Sequence, residues 1–122
     1  MARILIVDDS PSQLLGMKRI VEKLGHETVT AEDGASGVEV AKATMPDLIL
    51  MDVVMPNLNG FQATRAISKE PSTANIPVVL VTTKDQETDK VWGMRQGAKA
   101  YITKPFTETQ LIEVINSLLV AG

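Results

Sequence analysis

The chain alternates five short apolar runs with five longer amphipathic stretches. Each apolar run has the length and composition of a buried strand, and the amphipathic stretches repeat their apolar residues with helical spacing. The predicted strands are residues 3–7, 27–31, 47–51, 77–81 and 99–103. The predicted helices are residues 11–24, 35–44, 60–69, 86–96 and 108–120. Strict alternation of strands and helices indicates a parallel sheet with right-handed crossovers and helices on both faces.

Capping residues support several of these helix ends. Side chains that accept hydrogen bonds from free backbone N–H groups precede three predicted helices, at Ser10, Asn59 and Thr107. Gly25 and Gly97 follow two of the helices, at the position where a left-handed residue commonly ends a helix.

The predicted fold is therefore α/β, a doubly wound, five-stranded parallel sheet of the (βα)5 type. The pattern leaves the strand order open, because two orders are common in such sheets. In the flavodoxin-like order 2-1-3-4-5, the first and third strands are neighbours.

Composition narrows the possible partners. With 122 residues, the chain is predicted to form one domain, residues 1–122. A net charge of −3 without a basic run argues against nucleic-acid binding, and the absence of cysteine excludes disulfides and thiol ligands. No signal peptide precedes the first strand and no apolar run approaches a membrane span, so we expect a cytoplasmic protein without membrane insertion. We expect His26, the lone histidine, to lie in solvent.

Three aspartates follow two of the apolar runs: Asp8 and Asp9 after the first, and Asp52 after the third. An isolated aspartate after a strand is usually a cap or turn residue. Sites in open parallel sheets lie at the carboxyl ends of the strands, so adjacent first and third strands would bring these carboxylates together. Such a cluster needs a cation or a proton, and oxygen ligands favour Mg²⁺. We expect Asp9 and Asp52 to bind it directly, and Asp8 through water.

This set of residues is typical of a magnesium-dependent phosphoryl acceptor. Asp52 is the predicted nucleophile, since aspartate carboxylates form acyl phosphates. Lys104, after the fifth strand, supplies positive charge, and the hydroxyl of Thr82, after the fourth, supplies a hydrogen bond. Taken singly, Lys104 is typical of a surface lysine and Thr82 of a strand-end hydroxyl, so the prediction depends on their combination.

The chain resembles the receiver domains of two-component response regulators over essentially its whole length. The matching segments are IVDDS (6–10), LMDVVMP (50–56), NG (59–60), VTT (81–83), GA (97–98) and KPF (104–106). Within that family it is most similar to stand-alone regulators of the PilH type, from the chemotaxis-like system that controls type IV pilus twitching. The segments GFQATR (60–65) and VTTKDQETDKVWG (81–93) carry this similarity. The resemblance implies the flavodoxin-like strand order 2-1-3-4-5.

The resemblance also implies a role for each residue of the acidic site. Asp52 matches the phosphorylated aspartate, and Asp8 and Asp9 match the acidic pair that holds Mg²⁺. Val54 matches the position whose backbone carbonyl binds the same ion. Lys104 matches the lysine that contacts the phosphoryl group.

A second set of roles concerns signalling. Thr82 matches the switch hydroxyl and Tyr101 the aromatic switch residue, so the resemblance implies a change on the face formed by the fourth helix, fifth strand and fifth helix. Val54 and Lys84 lie at positions that influence dephosphorylation in this family. Trp92, on the fourth helix, is either a packing residue or an exposed anchor for a partner.

Three functions compete. The first is a switch that takes phosphoryl groups from a histidine kinase, with self-catalysed transfer and hydrolysis but no free substrate. The second is an aspartate-nucleophile phosphohydrolase of the haloacid dehalogenase type, which usually carries a second acid where this chain has Val54. The third is a flavin-binding module, whose phosphate Asp8 and Asp9 would repel.

The sequence ends at Gly122, directly after the last predicted helix, and this bears on how the domain would pass on its signal. We expect no output domain. The domain would therefore bind an unknown downstream protein through its switch face, or act as a phosphate sink for a shared kinase.

Overall fold

Strands and helices alternate as the apolar pattern predicts. The computed structural model describes residues 1–120, and for Val120 the backbone alone. The strands are β1 (Arg3–Val7), β2 (Glu27–Ala31), β3 (Leu48–Met51), β4 (Val78–Thr82) and β5 (Ala100–Thr103). The helices are α1 (Pro11–Lys23), α2 (Gly34–Thr44), α3 (Gly60–Lys69), α4 (Glu87–Arg95) and α5 (Glu108–Val120). Ala121 and Gly122, the end of the predicted domain 1–122, lie outside the described residues.

The strands form one parallel sheet in the order β2-β1-β3-β4-β5. This arrangement confirms the doubly wound, flavodoxin-like fold and the order 2-1-3-4-5. β1 pairs with β3 from Ile4 opposite Leu48 to Val7 opposite Met51. β1 and β3, whose ends carry the predicted acidic site, are therefore neighbours at the centre of the sheet.

Helices cover both faces of the sheet, and alternate residues of each strand face opposite layers. Ile4 and Ile6 of β1 pack in a layer with residues of α1 and α5, Met17, Val21, Leu111 and Ile115. Leu5 and Val7 pack in the other layer with residues of α2 and α3, Val38, Ala41, Phe61, Ala63 and Ile67. Burying one aliphatic side chain of this size contributes about 1.5–3 kcal/mol, so a slip in register would be costly. Within residues 1–120, no helix combines the length and apolar character required to cross a membrane.

The predicted helix ends are confirmed in detail. The side chains of three capping residues accept hydrogen bonds from the backbone N–H three residues on, at Ser10, Asn59 and Thr107. Gly25 and Gly97 adopt φ angles of 90° and 112°, which glycine reaches without strain. The expectation that His26 lies free in solvent is wrong: it is half-buried, and its Nδ1 accepts the Ala2 N–H at 3.0 Å.

Candidate active site

The carboxyl ends of the central strands bring the predicted site residues to one edge of the sheet. β1 and β3 are paired up to Val7, and the Asp52 N–H donates to the Val7 carbonyl at 2.9 Å. Asp8 and Asp52 therefore leave the sheet at adjacent points. β4 and β5 are paired in the same way, since the Lys104 N–H donates to the Thr82 carbonyl at 2.8 Å.

The three predicted aspartates form a single cluster. Asp8, Asp9 and Asp52 each offer one carboxylate oxygen, and these oxygens all lie within 4.8 Å of one another. Asp8 and Asp52 are buried, with 1% and 6% of their surface exposed, whereas Asp9 is exposed. Carboxylate oxygens are the ligands that Mg²⁺ prefers, and this ion commonly takes one or two of them and keeps several waters. The donor set therefore fits Mg²⁺, with the exposed Asp9 on the solvent side.

Lys104 belongs to the same cluster. Its Nζ lies 2.8 Å from Asp8 Oδ2 and 3.8 Å from Asp52 Oδ1, and its side chain is only 10% exposed. The peptide bond between Lys104 and Pro105, whose isomer the sequence leaves undetermined, is cis. A single ammonium beside three carboxylates leaves the cluster negatively charged, which favours binding of a further cation.

Asp52 is in an environment that disfavours its charged form. Burial raises the pKa of Asp52 above the ordinary value of 3.8, and the negative charge of Asp8 acts in the same direction. The Lys104 ammonium opposes this shift, as do the Val53 N–H, which donates to Asp52 Oδ1 at 2.9 Å, and the Thr82 hydroxyl. Asp52 is thus a poorly hydrated carboxylate beside a cation. In such an environment, little water competes for the carboxylate oxygen that would act as a nucleophile.

The loop after β3 holds Asp52 through its backbone. The Gly60 N–H donates to the Val53 carbonyl at 2.9 Å. A Cβ at Gly60 would overlap the Asp52 carbonyl oxygen, so only glycine allows α3 to begin this close to the acidic cluster. Val54 lies in the same loop with 55% of its surface exposed.

A chain of hydrogen bonds links β4 to Tyr101 on β5. The Thr82 hydroxyl oxygen accepts the Lys84 N–H at 3.3 Å, and the Tyr101 hydroxyl donates to the Lys84 carbonyl at 2.7 Å. Thr82 is fully buried and Tyr101 is half-buried. Burial raises the pKa of Tyr101 to about 12, helped by the negative charges of Asp89, Asp52 and Asp85.

Lys84 lies between Thr82 and Tyr101 in this chain of hydrogen bonds, a position that the residue pattern did not predict. Its contribution comes from the backbone N–H and carbonyl, which every residue type except proline offers, so the amino-acid type carried no signal. The Lys84 side chain lies 3.7 Å from Asp89 in an ion pair at the start of α4. Trp92 on α4 is 51% exposed, which favours the second of the two interpretations left open for it.

Comparison with known proteins agrees with this geometry. Residues 4–116 match the response regulator receiver domain family. The chain is 57% identical over 119 residues to Protein PilH of Pseudomonas aeruginosa, covering 98% of each protein. Response regulator PleD of Caulobacter vibrioides is 37% identical over 117 residues, which are only 26% of its length.

Solved structures give the same result. Chemotaxis protein CheY4 of Vibrio cholerae has a TM-score of 0.91 at 30% identity, covering 98% of this chain and 99% of that one. The receiver domain of a sensor histidine kinase from Pseudomonas aeruginosa has a TM-score of 0.90 at 27% identity, covering 97% of each chain, and holds a magnesium ion in its active-site cleft. Fold, acidic cluster and full-length similarity agree, and the chain belongs to the response regulator receiver domain family.

Proposed function

We propose that this receiver domain accepts a phosphoryl group on Asp52 from a partner histidine kinase in a Mg²⁺-dependent reaction. The observation that carries the proposal is the cluster itself: three carboxylates with oxygens within 4.8 Å of one another, and the Lys104 ammonium 2.8 Å from Asp8 and 3.8 Å from Asp52. Phosphoryl transfer requires mainly positioning and charge stabilisation from the protein. The cluster supplies groups for both.

The contacts of the buried carboxylates favour Asp52 over Asp8 as the acceptor. Asp8 has both oxygens engaged, because Oδ1 accepts the Ser10 N–H at 2.9 Å and Oδ2 pairs with Lys104 at 2.8 Å. In Asp52, the hydrogen bond from Val53 and the contact with Lys104 both involve Oδ1. Oδ2 of Asp52 is therefore the oxygen assigned to attack.

In the proposed step, Asp52 Oδ2 attacks phosphorus and the P–N bond to the donor imidazole breaks. The electron pair stays on the imidazole nitrogen, and an acyl phosphate forms on Asp52. Mg²⁺, held by Asp8, Asp9, Asp52 and the backbone carbonyl of Val54, would supply positive charge to the phosphoryl oxygens. Lys104 adds a fixed charge on the same side, and the Thr82 hydroxyl donates a hydrogen bond to a phosphoryl oxygen.

Hydrolysis of the acyl phosphate returns the protein to its starting state. The protein is thus a phosphoacceptor with self-catalysed transfer and dephosphorylation, and not an enzyme that turns over a free substrate. Val54 and Lys84 line one cavity beside the acceptor, where a water would approach the phosphoryl group. Their position supports a role in setting the lifetime of the phosphorylated state.

Thr82 and Tyr101 are proposed to report the phosphoryl group to the face formed by α4, β5 and α5. Phosphorylation adds about one further negative charge and new acceptor oxygens. When Thr82 turns its hydroxyl toward these oxygens, it releases the Lys84 N–H, and the Lys84 loop and Tyr101 respond together. Reversing a 1:99 population of two such states needs about 5.5 kcal/mol of differential interaction.

The proposed function includes a role in a specific signalling pathway. Identity of 57% to PilH over 98% of both chains supports a role in a chemotaxis-like pathway that controls type IV pilus twitching, with the cytoplasmic location expected from the sequence. The downstream protein would bind the α4-β5-α5 face. If the domain instead acts as a phosphate sink, phosphoryl transfer from the shared kinase to Asp52 will be fast. Phosphorylation will then not change the binding of the domain to any motility protein.

Phosphotransfer with Asp52 variants tests the proposal. Purified protein is incubated with acetyl phosphate, with and without Mg²⁺, and acyl phosphate is measured by intact mass. We expect wild-type protein to gain one phosphoryl group only with Mg²⁺, and Asp52→Ala to gain none.

Asp85→Ala is the matched control, since Asp85 is an exposed aspartate in the loop before α4. It should be labelled like wild type. Equal labelling of Asp52→Ala and wild type would overturn the assignment of the acceptor, and equal labelling without Mg²⁺ would overturn the metal requirement.

A further inference from the structure

Glycine is an unfavourable residue type at position 93. It lies in the interior of α4 and is buried. Glycine in a helix interior costs about 0.5–1 kcal/mol relative to alanine, because it loses more conformational freedom on folding. Its presence here therefore calls for a reason in the packing around it.

The reason lies in the two side chains that α4 covers. A Cβ added at Gly93 would lie 2.6 Å from Leu80 Cδ1 and 3.2 Å from both Cδ2 and Cε2 of Tyr101. Both distances are shorter than ordinary van der Waals contact. The missing side chain thus creates the space in which one edge of the Tyr101 ring lies against the helix.

The two neighbours differ in their freedom to move. Leu80 is fully buried in the middle of β4, so its Cδ1 methyl can move only if the core around it repacks. Tyr101 is only half-buried, and its ring can turn toward solvent. A Cβ at position 93 would therefore require the Leu80 Cδ1 methyl, the nearer neighbour at 2.6 Å, to shift within the core, and it would also push the edge of the Tyr101 ring outward.

The position of the ring decides a hydrogen bond close to the acceptor site. With the ring against Gly93, the Tyr101 hydroxyl reaches the Lys84 carbonyl at 2.7 Å. The Lys84 N–H in turn donates to the Thr82 hydroxyl oxygen at 3.3 Å. A ring turned outward would lose the contact with Lys84 and free the loop from β5.

We propose that Gly93 is a positioning residue for the switch: the absence of its side chain forms the seat in which the Tyr101 ring is held inward, with its hydroxyl on the Lys84 carbonyl. The consequence for signalling rests on the proposed function, but the seat itself does not. Substituting Gly93 by alanine biases Tyr101 outward without touching Asp8, Asp9, Asp52 or Lys104.

Fluorine NMR on protein labelled with 3-fluorotyrosine tests the seat directly, since Tyr101 is the only tyrosine and gives one resonance. In Gly93→Ala we expect this resonance to move toward its position in the urea-unfolded protein. Gly16→Ala is the matched control, because Gly16 also lies inside a helix but an added Cβ there meets nothing within 4 Å. It should leave the resonance unchanged. A Gly93→Ala resonance identical to wild type would overturn the proposal.

A double-mutant cycle separates a seat for the ring from simple packing against Leu80. The shift in urea midpoint caused by Gly93→Ala is measured in wild type and in Tyr101→Ala. A seat for the ring predicts a clearly smaller loss in the Tyr101→Ala background, including recovery of folding there if Gly93→Ala alone is unfolded. An equal loss, or no recovery, would mean that Leu80 alone requires the glycine, and would overturn the proposal.

Labelling of Asp52 by acetyl phosphate is measured on the same variants. We expect Gly93→Ala to be labelled at the wild-type rate. Failure of wild-type protein to be labelled would count against the proposed function, and leave the NMR result on the seat standing. Loss of labelling in Gly93→Ala alone would show that the residue acts on the acceptor and not through Tyr101, contrary to this proposal.

Discussion

Lys104 and Asp8 form an ion pair that is unusually well shielded from solvent. Their side chains are 10% and 0% exposed, whereas Lys23 and Glu108 form a surface pair with 75% and 48% exposure. Shielding makes a lone charge costly, so the two partners depend on each other far more than a surface pair does. The site is therefore a balance of buried charges, which a substitution of Lys104 or of Asp52 would disturb.

Removing the charge of Lys104 should destabilise the protein. Lys104→Met leaves Asp8 buried without its cation, and we expect a loss of about 3 kcal/mol in the free energy of unfolding. Added Mg²⁺ should restore part of the loss by supplying positive charge. Urea unfolding with and without Mg²⁺ measures both effects. Lys23→Met, which breaks the surface pair, should cost below about 1 kcal/mol, and an equal loss in the two variants would contradict the prediction.

Replacing Asp52 should have the opposite effect, with a defined dependence on pH. Burial raises the pKa of Asp52 above 3.8, so the folded state binds this proton more tightly than the unfolded state. Wild-type stability therefore contains a penalty that is absent well below pH 3.8, grows as the pH rises from there to the raised pKa, and is complete above that pKa. Asp52→Asn has no such penalty.

We accordingly expect Asp52→Asn to be more stable than wild type at pH 7 without Mg²⁺, with a difference that shrinks on acidification. Urea unfolding at a series of pH values is the measurement. Asp85→Asn, at an exposed loop position, provides the comparison. A gain for Asp52→Asn that is the same at acid and neutral pH would point to packing rather than charge.

The start of α3 is tied to the loop that holds Asp52. Asn59 and Gln62 cap it reciprocally, each side chain accepting from the backbone N–H of the other at 2.9 Å. Its first residue, Gly60, donates to the Val53 carbonyl and packs against the Asp52 carbonyl. Thr107 and Gln110 form the same reciprocal cap on α5, whose start does not contact Asp52 in this way.

This difference predicts that two similar caps have different effects on metal binding. Asn59→Ala and Thr107→Ala should each lose about 1 kcal/mol of stability, the usual cost of a lost cap. Only Asn59→Ala should also weaken Mg²⁺ binding, because fraying of α3 loosens the loop that holds Asp52. Calorimetric titration with Mg²⁺ distinguishes the two variants. Equal Mg²⁺ affinity in both would mean that the loop is held without the help of α3.

The whole domain places its charge cluster at one edge of a sheet whose interior is otherwise apolar. Four strands contribute to that edge: β1 and β3 carry the acids, β4 ends at Thr82, and Lys104 follows β5. The helical layers on both faces make the positions of these strand ends rigid, so the repulsion among the carboxylates is not relieved by movement of the backbone. Ligands that relieve the repulsion should therefore stabilise the entire domain.

Mg²⁺ should raise the free energy of unfolding as its concentration rises past the dissociation constant. At 100 times that constant the gain is about 2.7 kcal/mol if the unfolded chain does not bind the ion. Asp9→Asn removes one of the three clustered carboxylates and should reduce the gain, while Asp85→Asn should not. Urea unfolding across a Mg²⁺ titration is the test. A gain of equal size in Asp9→Asn would place the ion elsewhere.

The elements could be read from the sequence because they depend on local patterns. All ten lie within one residue of their predicted bounds. The start of α2 at Gly34, one residue before the predicted start, follows from Asp33, whose side chain accepts the Ser36 N–H at 2.8 Å. The apolar pattern left the strand order open. The convergence of Asp8 and Asp52 could therefore be predicted only on the assumption that β1 and β3 are neighbours.

Other features of the site could not have been predicted from residue types. The link from Thr82 to Tyr101 runs through the backbone of Lys84, and the space beside the Tyr101 ring comes from an absent side chain at Gly93. A backbone hydrogen bond and a missing side chain leave no motif in the sequence, and their effects become visible only when the helices and strands are packed together.

The ten elements, their caps and the side chains proposed to carry phosphoryl chemistry could be predicted from the sequence, since they follow from short-range periodicity and from side-chain type. Tertiary packing sets the order of the strands, the position of Lys104 between Asp8 and Asp52, and the contact of Tyr101 with α4. These are contacts between residues far apart in the chain, and they are selected by burial and packing of whole layers rather than by any local pattern.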